Sequence, residues 1–311
     1  MTVALLGPRL AAVAARVPRG AKLGDIGTDH AYLPVTLCEE GRIQSAVAVD
    51  VHRGPYESAL ATVRGRGLIE KISVRFGDGL SPLVPGEVDT LVLAGMGGST
   101  MTSILSRRPE ILAGISALIL QPQGAESQVR RSLLTAGWLL QDEVLVEEEG
   151  KIYVVMAMTR EPSRQPPEPE TEGRRRDRMW QMAAGQRPGF LSFRDVDEIA
   201  EGWVGRLKEI GAEALRGLNA AEPAGEVGEI FASSVRTLVW QLGPVIVAQP
   251  NSLLRRLLAE RIRELDRRLQ QMKKAKSPGA SERVTVTLVQ KLACEGMSVA
   301  LSGMTGHAWD S

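Results

Sequence analysis

The 311 residues suffice for one large domain or two ordinary ones, and 43% apolar with 24% charged side chains excludes wholesale disorder. A net charge of +1, from 38 basic and 37 acidic side chains, singles out no partner class, and 4% aromatics argue against a stacking platform for single strands. Two cysteines, Cys38 and Cys294, can build neither a disulfide framework nor a metal knuckle, so they read as thiols of a reducing, cytoplasmic compartment.

The start of the chain shows no basic leader and is interrupted by Pro8, so no targeting segment is expected there. No apolar run reaches the roughly 18–20 residues of a membrane span, so no membrane partner is expected. Residues 1–160 read as alternating helices and strands. Strand-length apolar runs fall at 21–26, 46–49, 72–76, 89–94 and 117–120. Between them lie helical patterns: Leu10/Val13/Ala14/Val17, Tyr56/Ala59/Leu60/Val63, Met101/Ile104/Leu105 and Val129/Leu133/Leu134. Continuous apolar strands alternating with helices predict an α/β fold with a doubly wound, mostly parallel sheet. A last pair, 143–148 and 152–158 around Glu149-Gly150-Lys151, reads as a hairpin closing one edge.

Residues 160–178 hold four prolines among dense charges and read as a linker or exposed loop, with Arg174-Arg175-Arg176 a solvated charge run. The expected organisation is a first domain over 1–160, a linker and insertion with helices over 161–238, and a helical region with a tail over 239–311. Ile199, Trp203, Leu207 and Ile210 share a helical face. Leu254, Leu258, Ile262, Leu265, Leu269 and Met272 run close to a heptad seam. That seam needs a partner helix, from the same chain or, by self-association through the 254–272 helix, from a second copy. From Leu253 to Lys276 nine basic residues face three acidic ones, a local net of +6. Residues 283–289 look strand-like.

The chemistry concentrates at the predicted strand ends. The first strand runs into Asp25-Ile26-Gly27-Thr28-Asp29-His30-Ala31. In a doubly wound sheet the ligand crevice lies at the carboxyl ends of the strands, so this turn faces it. The three glycines of a dinucleotide site are absent. Asp25 and Asp29 would repel a phosphate and suit a cationic ligand carrying an amine and a sulfonium. Asp50, ending the second strand, can accept both hydroxyls of a ribose. Asp78, between Gly77 and Gly79, could bond an adenine amino group, and Ala94-Gly95-Met96-Gly97-Gly98 makes a backbone-rich mouth. A lone Asp after a strand is most often a helix cap; several glycine- or acid-bearing strand ends on one sheet point to a nucleoside cofactor site. Ser99 lacks the spacing of a nucleophile elbow, and His52 and His307 lack metal-ligand spacing, so no metal is expected.

These strings resemble class I S-adenosylmethionine-dependent methyltransferases, and among them the bacterial TrmK family, which methylates N1 of adenosine 22 in tRNA. The likeness rests on Arg9-Leu10, Asp25-Ile26-Gly27-Thr28-Asp29-His30-Ala31-Tyr32-Leu33-Pro34, Gly54-Pro55-Tyr56-Glu57-Ser58-Ala59, Gly77-Asp78-Gly79-Leu80, Ala94-Gly95-Met96-Gly97-Gly98 and Leu120-Gln121-Pro122. The resemblance implies a C-terminal helical, coiled-coil-like region, to which Leu242-Gly243-Pro244 and the 253–276 helix correspond. The chain departs from the family pattern in Gln123, where asparagine is common, in Asp50, where glutamate is common, and in the 160–238 segment.

On this resemblance S-adenosyl-L-methionine is the expected cofactor, held by Asp25, Gly27, Asp50, Asp78, Gly79, Ala94 and Gly95, and tRNA the expected partner. Methylation of N1 of adenine loses no ring proton and creates a cation, so it calls for in-line placement and a nearby carboxylate rather than a strong base. Asp29, His30 and Met96 are the expected catalytic residues, with a base everted near Asp29 and Met96. Tyr32, Gln121, Pro122, Gln123, Arg255 and Arg256 are the expected substrate contacts. Capping or packing is the bland alternative for His30 and Tyr32. An Asn/Asp-Pro-Pro-aromatic string, usual for exocyclic amines, is absent after the fourth strand. A methyltransferase acting on another RNA site or a small molecule, and a non-catalytic nucleotide-binding protein, share most of these residues.

Overall fold

The computed structural model describes residues 6–160, 190–216, 224–274 and 280–304, and these fall into two units. In the first, strands β1 (Ala21–Ile26), β2 (Ile43–Asp50), β3 (Ile72–Phe76), β4 (Thr90–Met96), β5 (Ala117–Pro122), β6 (Leu139–Glu148) and β7 (Lys151–Thr159) form one sheet. Its order is β3-β2-β1-β4-β5-β7-β6, with β1 to β5 pairing in parallel and β7 antiparallel to both β5 and β6. The topology reverses beside β1 and β4, which is where a doubly wound sheet opens its ligand crevice.

The helices are α1 (Pro8–Arg16), α2 (Tyr32–Glu39), α3 (Arg53–Gly65), α4 (Gly98–Arg107), the single turn α5 (Pro109–Leu112) and α6 (Glu126–Thr135). Each turns its apolar stripe to the sheet: Val13 and Ala14 of α1, Ala59 and Val63 of α3, Met101, Ile104 and Leu105 of α4, and Val129, Leu133 and Leu134 of α6 are buried. Burial of such side chains at about 1.5–3 kcal/mol each is what holds the layers together. Beyond the hairpin, Leu191 bridges to Leu140 through two 2.8 Å backbone hydrogen bonds, adding a stitch at the β6 edge. One ion pair is fully interior: the Arg130 guanidinium of α6 donates to the Glu143 carboxylate of β6.

The second unit is helical: α7 (Phe193–Arg216), α8 (Ala224–Leu242), the short α9 (Pro244–Ala248), α10 (Ser252–Lys274) and α11 (Ala280–Met304). Helix α8 runs through the domain boundary expected at 238. Val196, Ile199, Trp203 and Leu207 of α7 are buried, and the Trp240 indole of α8 donates to Asp197 Oδ1 at 3.1 Å. The Ile210 side chain, like residues 161–189 and the Arg174-Arg175-Arg176 run, lies outside the described residues.

Two expectations need correction. Residues 283–289 are helical, in α11, because Val289, Ala293, Met297 and Leu301 recur at four-residue spacing and are all buried. The same helix, over Arg283–Ser302, is long and apolar enough to pass for a membrane span by composition. Its buried stripe packs in a helix bundle and supplies the partner demanded by the α10 seam. Leu254, Leu258, Leu265 and Leu269 are buried in this chain alone, Thr287 Oγ1 lies 3.7 Å from Met272 Sδ, and Lys291 Nζ meets Asp266 Oδ1 at 2.8 Å.

Candidate functional site

The turn after β1 is bound to the end of β2. The amides of Gly27 and Thr28 both donate to the Val49 carbonyl, at 2.8 and 3.0 Å. The Asp29 amide donates to Asp50 Oδ2 at 3.1 Å, and the His52 amide to Asp50 Oδ1 at 2.9 Å. Asp50 is thus a buried carboxylate fixed by two backbone donors, and these leave each oxygen further lone pairs. Gly27 has φ +76°, and a Cβ there would stand 3.0 Å from Met96 Cε, so the turn of β1 and the mouth of β4 meet at this glycine.

Two non-glycine residues in the same turn, Asp29 (φ 53°) and Ala31 (φ 56°), lie in the left-handed region. Such backbone costs on the order of 1–2 kcal/mol per residue and persists only where neighbours impose it. Here the Asp29–Asp50 bond and the Ala31 amide donating to Thr28 O at 2.9 Å impose it. The result is an outward-facing group: Asp29 is 68% exposed, His30 Nε2 lies 3.7 Å from Asp29 Oδ1, and the His30 and Tyr32 rings stack at 5.2 Å.

Asp25 behaves differently. It is buried, accepts a hydrogen bond from Thr28 Oγ1 at 2.6 Å, and is pushed up to about pKa 6. Burial is the main cause; the Thr28 hydroxyl pulls the other way and the charge of Asp50 adds to the rise. A carboxyl held this way gains most from a cationic group brought beside it. The residues present therefore fit the ammonium and sulfonium of S-adenosylmethionine.

Strand β4 runs past the end of β1. Its pairing with β1 stops at Ile26↔Leu93, while its pairing with β5 continues to Met96↔Pro122 with a register break across Gly95. At that break Gly95 takes φ +79°, and its amide is caught by a side chain: Gln121 Oε1, at 3.0 Å. The Met96 carbonyl accepts from the Gln123 amide at 2.9 Å, which carries exposed Gln123 to the same mouth.

Two of the expected substrate contacts, Gln121 and Pro122, are buried, and two further residues, Arg9 and Glu148, join the site. Gln121 is fully buried; besides accepting from the Gly95 amide, its Oε1 accepts from Arg9 Nη1 at 3.0 Å, and its Nε2 donates to the Pro122 carbonyl at 3.0 Å. Pro122 is buried too, in β5, so it shapes the mouth from beneath. Arg9 and Glu148 were not expected to matter to the site. Arg9 Nε meets Glu148 Oε2 at 3.0 Å, and this pair braces Gln121. The signal was present in the Arg9-Leu10 string, but nothing in sequence places Glu148 opposite it, 139 residues away.

Asp78 sits in an exposed ion pair with Arg107 Nη1 of α4 at 2.8 Å, and Gly79 packs against Ile104. Arg255 and Arg256 lie in the second unit, on α10; Arg255 is exposed, and Arg256 pairs with Glu260 at 3.3 Å. Exposed Arg263 and Arg267, one turn apart on the same helix, were not singled out from sequence. His307 lies outside the described residues, and among the described residues no three His, Cys, Asp or Glu side chains gather as a metal site.

A family model described as a methyltransferase domain matches residues 6–156. Among curated proteins, the tRNA (adenine(22)-N(1))-methyltransferase of Bacillus subtilis is 42% identical over 151 residues, covering 49% of this chain and 63% of that protein. A putative tRNA methyltransferase of Mycoplasma pneumoniae is 33% identical, covering 43% and 61%. The aligned stretch thus spans less than two thirds of either relative. Among solved structures, the B. subtilis m1A22 tRNA methyltransferase TrmK superposes with TM-score 0.65 at 25% identity, covering 94% of this chain and 99% of that one. A putative tRNA (m1A22) methyltransferase of Streptococcus pneumoniae gives 0.61 at 25% identity, covering 94% and 100%.

Proposed function

We propose that the chain is a methyltransferase of the TrmK type, which transfers the methyl group of S-adenosylmethionine to N1 of an adenine in tRNA, at position 22; the likeness to the methyltransferase-domain model and to the B. subtilis enzyme supports this reading. The observation that carries this reading is the strand-end constellation. Buried Asp25 and Asp50 stand on adjacent strands, and the amide of exposed Asp29 bonds to Asp50.

When bound, the cofactor supplies an activated methyl group on a cationic sulfur. Asp25 would meet the cofactor's positive charge, Asp50 would accept its ribose hydroxyls, and Asp78 and Gly79 would hold the adenine end. In the transfer, the N1 lone pair would form the carbon–nitrogen bond as the carbon–sulfur bond breaks, the positive charge passing from sulfur to the ring with no loss of a proton. The protein therefore needs no strong base there. What it needs is alignment and a carboxylate near the new cation, which exposed Asp29 provides, with His30 and Tyr32 stacked beside it to hold the everted base. Met96, over Gly27, bounds the space between donor and acceptor.

The basic face of α10 is the tRNA grip in this reading, with Arg255, Arg263 and Arg267 meeting phosphates. A tRNA substrate sets the enzyme in the cytoplasm. Self-association through the 254–272 helix would have to use its outward face, since the leucine seam is buried within one chain.

The test is transfer of tritiated methyl from the cofactor to bulk tRNA, with Asp29→Asn beside the wild type. Label in RNA that falls at least about a hundredfold in the variant supports the reading. Cofactor binding with no label in any RNA would overturn it.

A further inference from the structure

The helical unit contains a cleft of about 390 Å³ that no part of the proposed reaction uses. Helix α8 lines it with Ser233, Ser234, Thr237 and Gln241, helix α11 with Val286, Gln290 and Cys294, and helix α10 with Arg261. From Ile230 through Ser233 or Ser234 and Thr237 to Gln241 the α8 positions recur every three to four residues, the spacing that elsewhere on the same helix buries Val227, Phe231 and Val235. A helix bundle normally fills such a stripe with aliphatic side chains. Here it is hydroxyl and carboxamide, and it opens onto solvent at Ser233, Thr237 and Gln290, all exposed.

A guanidinium stands within this polar cleft. Arg261 Nη2 donates to Gln241 Oε1, which fixes the arginine toward α8. The one acid on the wall, Glu229, is engaged with Arg236 Nη1 at 3.0 Å and stands near the far end of α8, twelve residues before Gln241. Cys294 contributes a buried neutral thiol, and Ile230, Leu238 and Val286 contribute an apolar patch. One cation, three hydroxyls, two carboxamides and a small apolar wall match the parts of a ribonucleotide: phosphate, sugar and base face. The volume lies within the range of small-molecule pockets, of about 300–1,000 Å³.

We propose that this cleft is a binding site for one unpaired ribonucleotide of the RNA substrate, its phosphate held by Arg261. The proposal rests on the tRNA reading above and deepens it by naming a second point of contact, in the helical unit. It differs from the exposed α10 arginines, which meet phosphates without enclosing a nucleotide.

The probe is cytidine 5′-monophosphate, with the cofactor crevice saturated by S-adenosylhomocysteine so that only other sites remain open. The readouts are amide shifts of the intact chain and calorimetry, with cytidine and inorganic phosphate as separate arms. The nucleotide is expected to shift the amides of Ser233, Ser234, Thr237 and Gln241 and to bind more tightly than either part alone. Arg261→Gln should weaken the nucleotide at least about tenfold, the loss of a charge-assisted bond, while leaving S-adenosylhomocysteine affinity unchanged. Ser234→Leu, which narrows the cleft and keeps every charge, should weaken it too and raise the KM for tRNA with little change in kcat. No shift in the cleft, equal binding by both variants, or binding of inorganic phosphate as tightly as the nucleotide each overturns the proposal. If wild-type protein still methylates tRNA under those outcomes, the cleft assignment fails and the function stands; if it methylates no RNA, the function fails whatever the cleft binds.

Discussion

Gln121 Oε1 stands 3.0 Å from the amide of Gly95, where strand β4 breaks step with β5, and a side chain therefore takes the place of a sheet hydrogen bond at the mouth of the crevice. The same oxygen holds Arg9, which Glu148 holds in turn. Removing the carboxamide leaves the Gly95 amide and the Arg9 guanidinium, both in part-buried hydrogen bonds, without their acceptor, at a cost of about 0.5–1.5 kcal/mol per lost bond. Gln121→Leu should therefore lower melting temperature and kcat. Gln121→Glu keeps both acceptor contacts and should recover much of each. Equal losses in the two variants, or none in either, would refute the bracing role.

Asp25 gives the site a pH signature. Its pKa lies near 6 in the folded protein against 3.8 for an ordinary carboxyl, so its ionisation costs stability in full above about 6, and the cost fades as pH falls from 6 toward 3.8. A cationic ligand prefers the ionised form, so cofactor affinity should rise with pH, by up to about tenfold per unit below 6, and level off above it. Calorimetry between pH 5 and 8 tests this. Thr28→Val removes the hydrogen bond that restrains the pKa and should move the inflection upward; Asp25→Asn should flatten the curve.

Much of this arrangement is legible in the amino acids. The five parallel strands announce themselves as short apolar runs, and the helices between them by their 3.6-residue stripes, because each is buried on a predictable face. Asp25, Asp29 and Asp50 can be read from their positions after strands. Gln121 cannot: its role depends on a bulge at Gly95 and on a partner pair, Arg9 and Glu148, drawn from opposite ends of the domain. The stretch 283–289 misleads because alternating Val and Thr fit a strand, while the four-residue stripe that settles the matter lies further on, from Val289 to Leu301.

The outward arginines of α10 should act through charge alone. Arg263→Gln and Arg267→Gln together remove two cations, so the slope of log affinity for tRNA against log salt should flatten by about 1.8 at most. Cofactor affinity should not change. A loss of tRNA affinity that is independent of salt would mean that these residues act through packing instead.

Arg130 and Glu143 form an interior pair with no exposed surface on either side chain. Taking away one charge strands the other, which typically costs about 3–5 kcal/mol. Glu143→Leu should thus lower the denaturation midpoint sharply, and Arg130→Met with Glu143→Leu should restore part of it. A single variant as stable as the wild type would show that water reaches the pair.

Nucleoside mass analysis of tRNA incubated with the protein and S-adenosylmethionine bears most directly on the whole account. Appearance of 1-methyladenosine, absent when Asp50 is replaced by alanine, is the expected result. Methyl placed on the exocyclic nitrogen, or no new nucleoside at all from cofactor-bound protein, would contradict it.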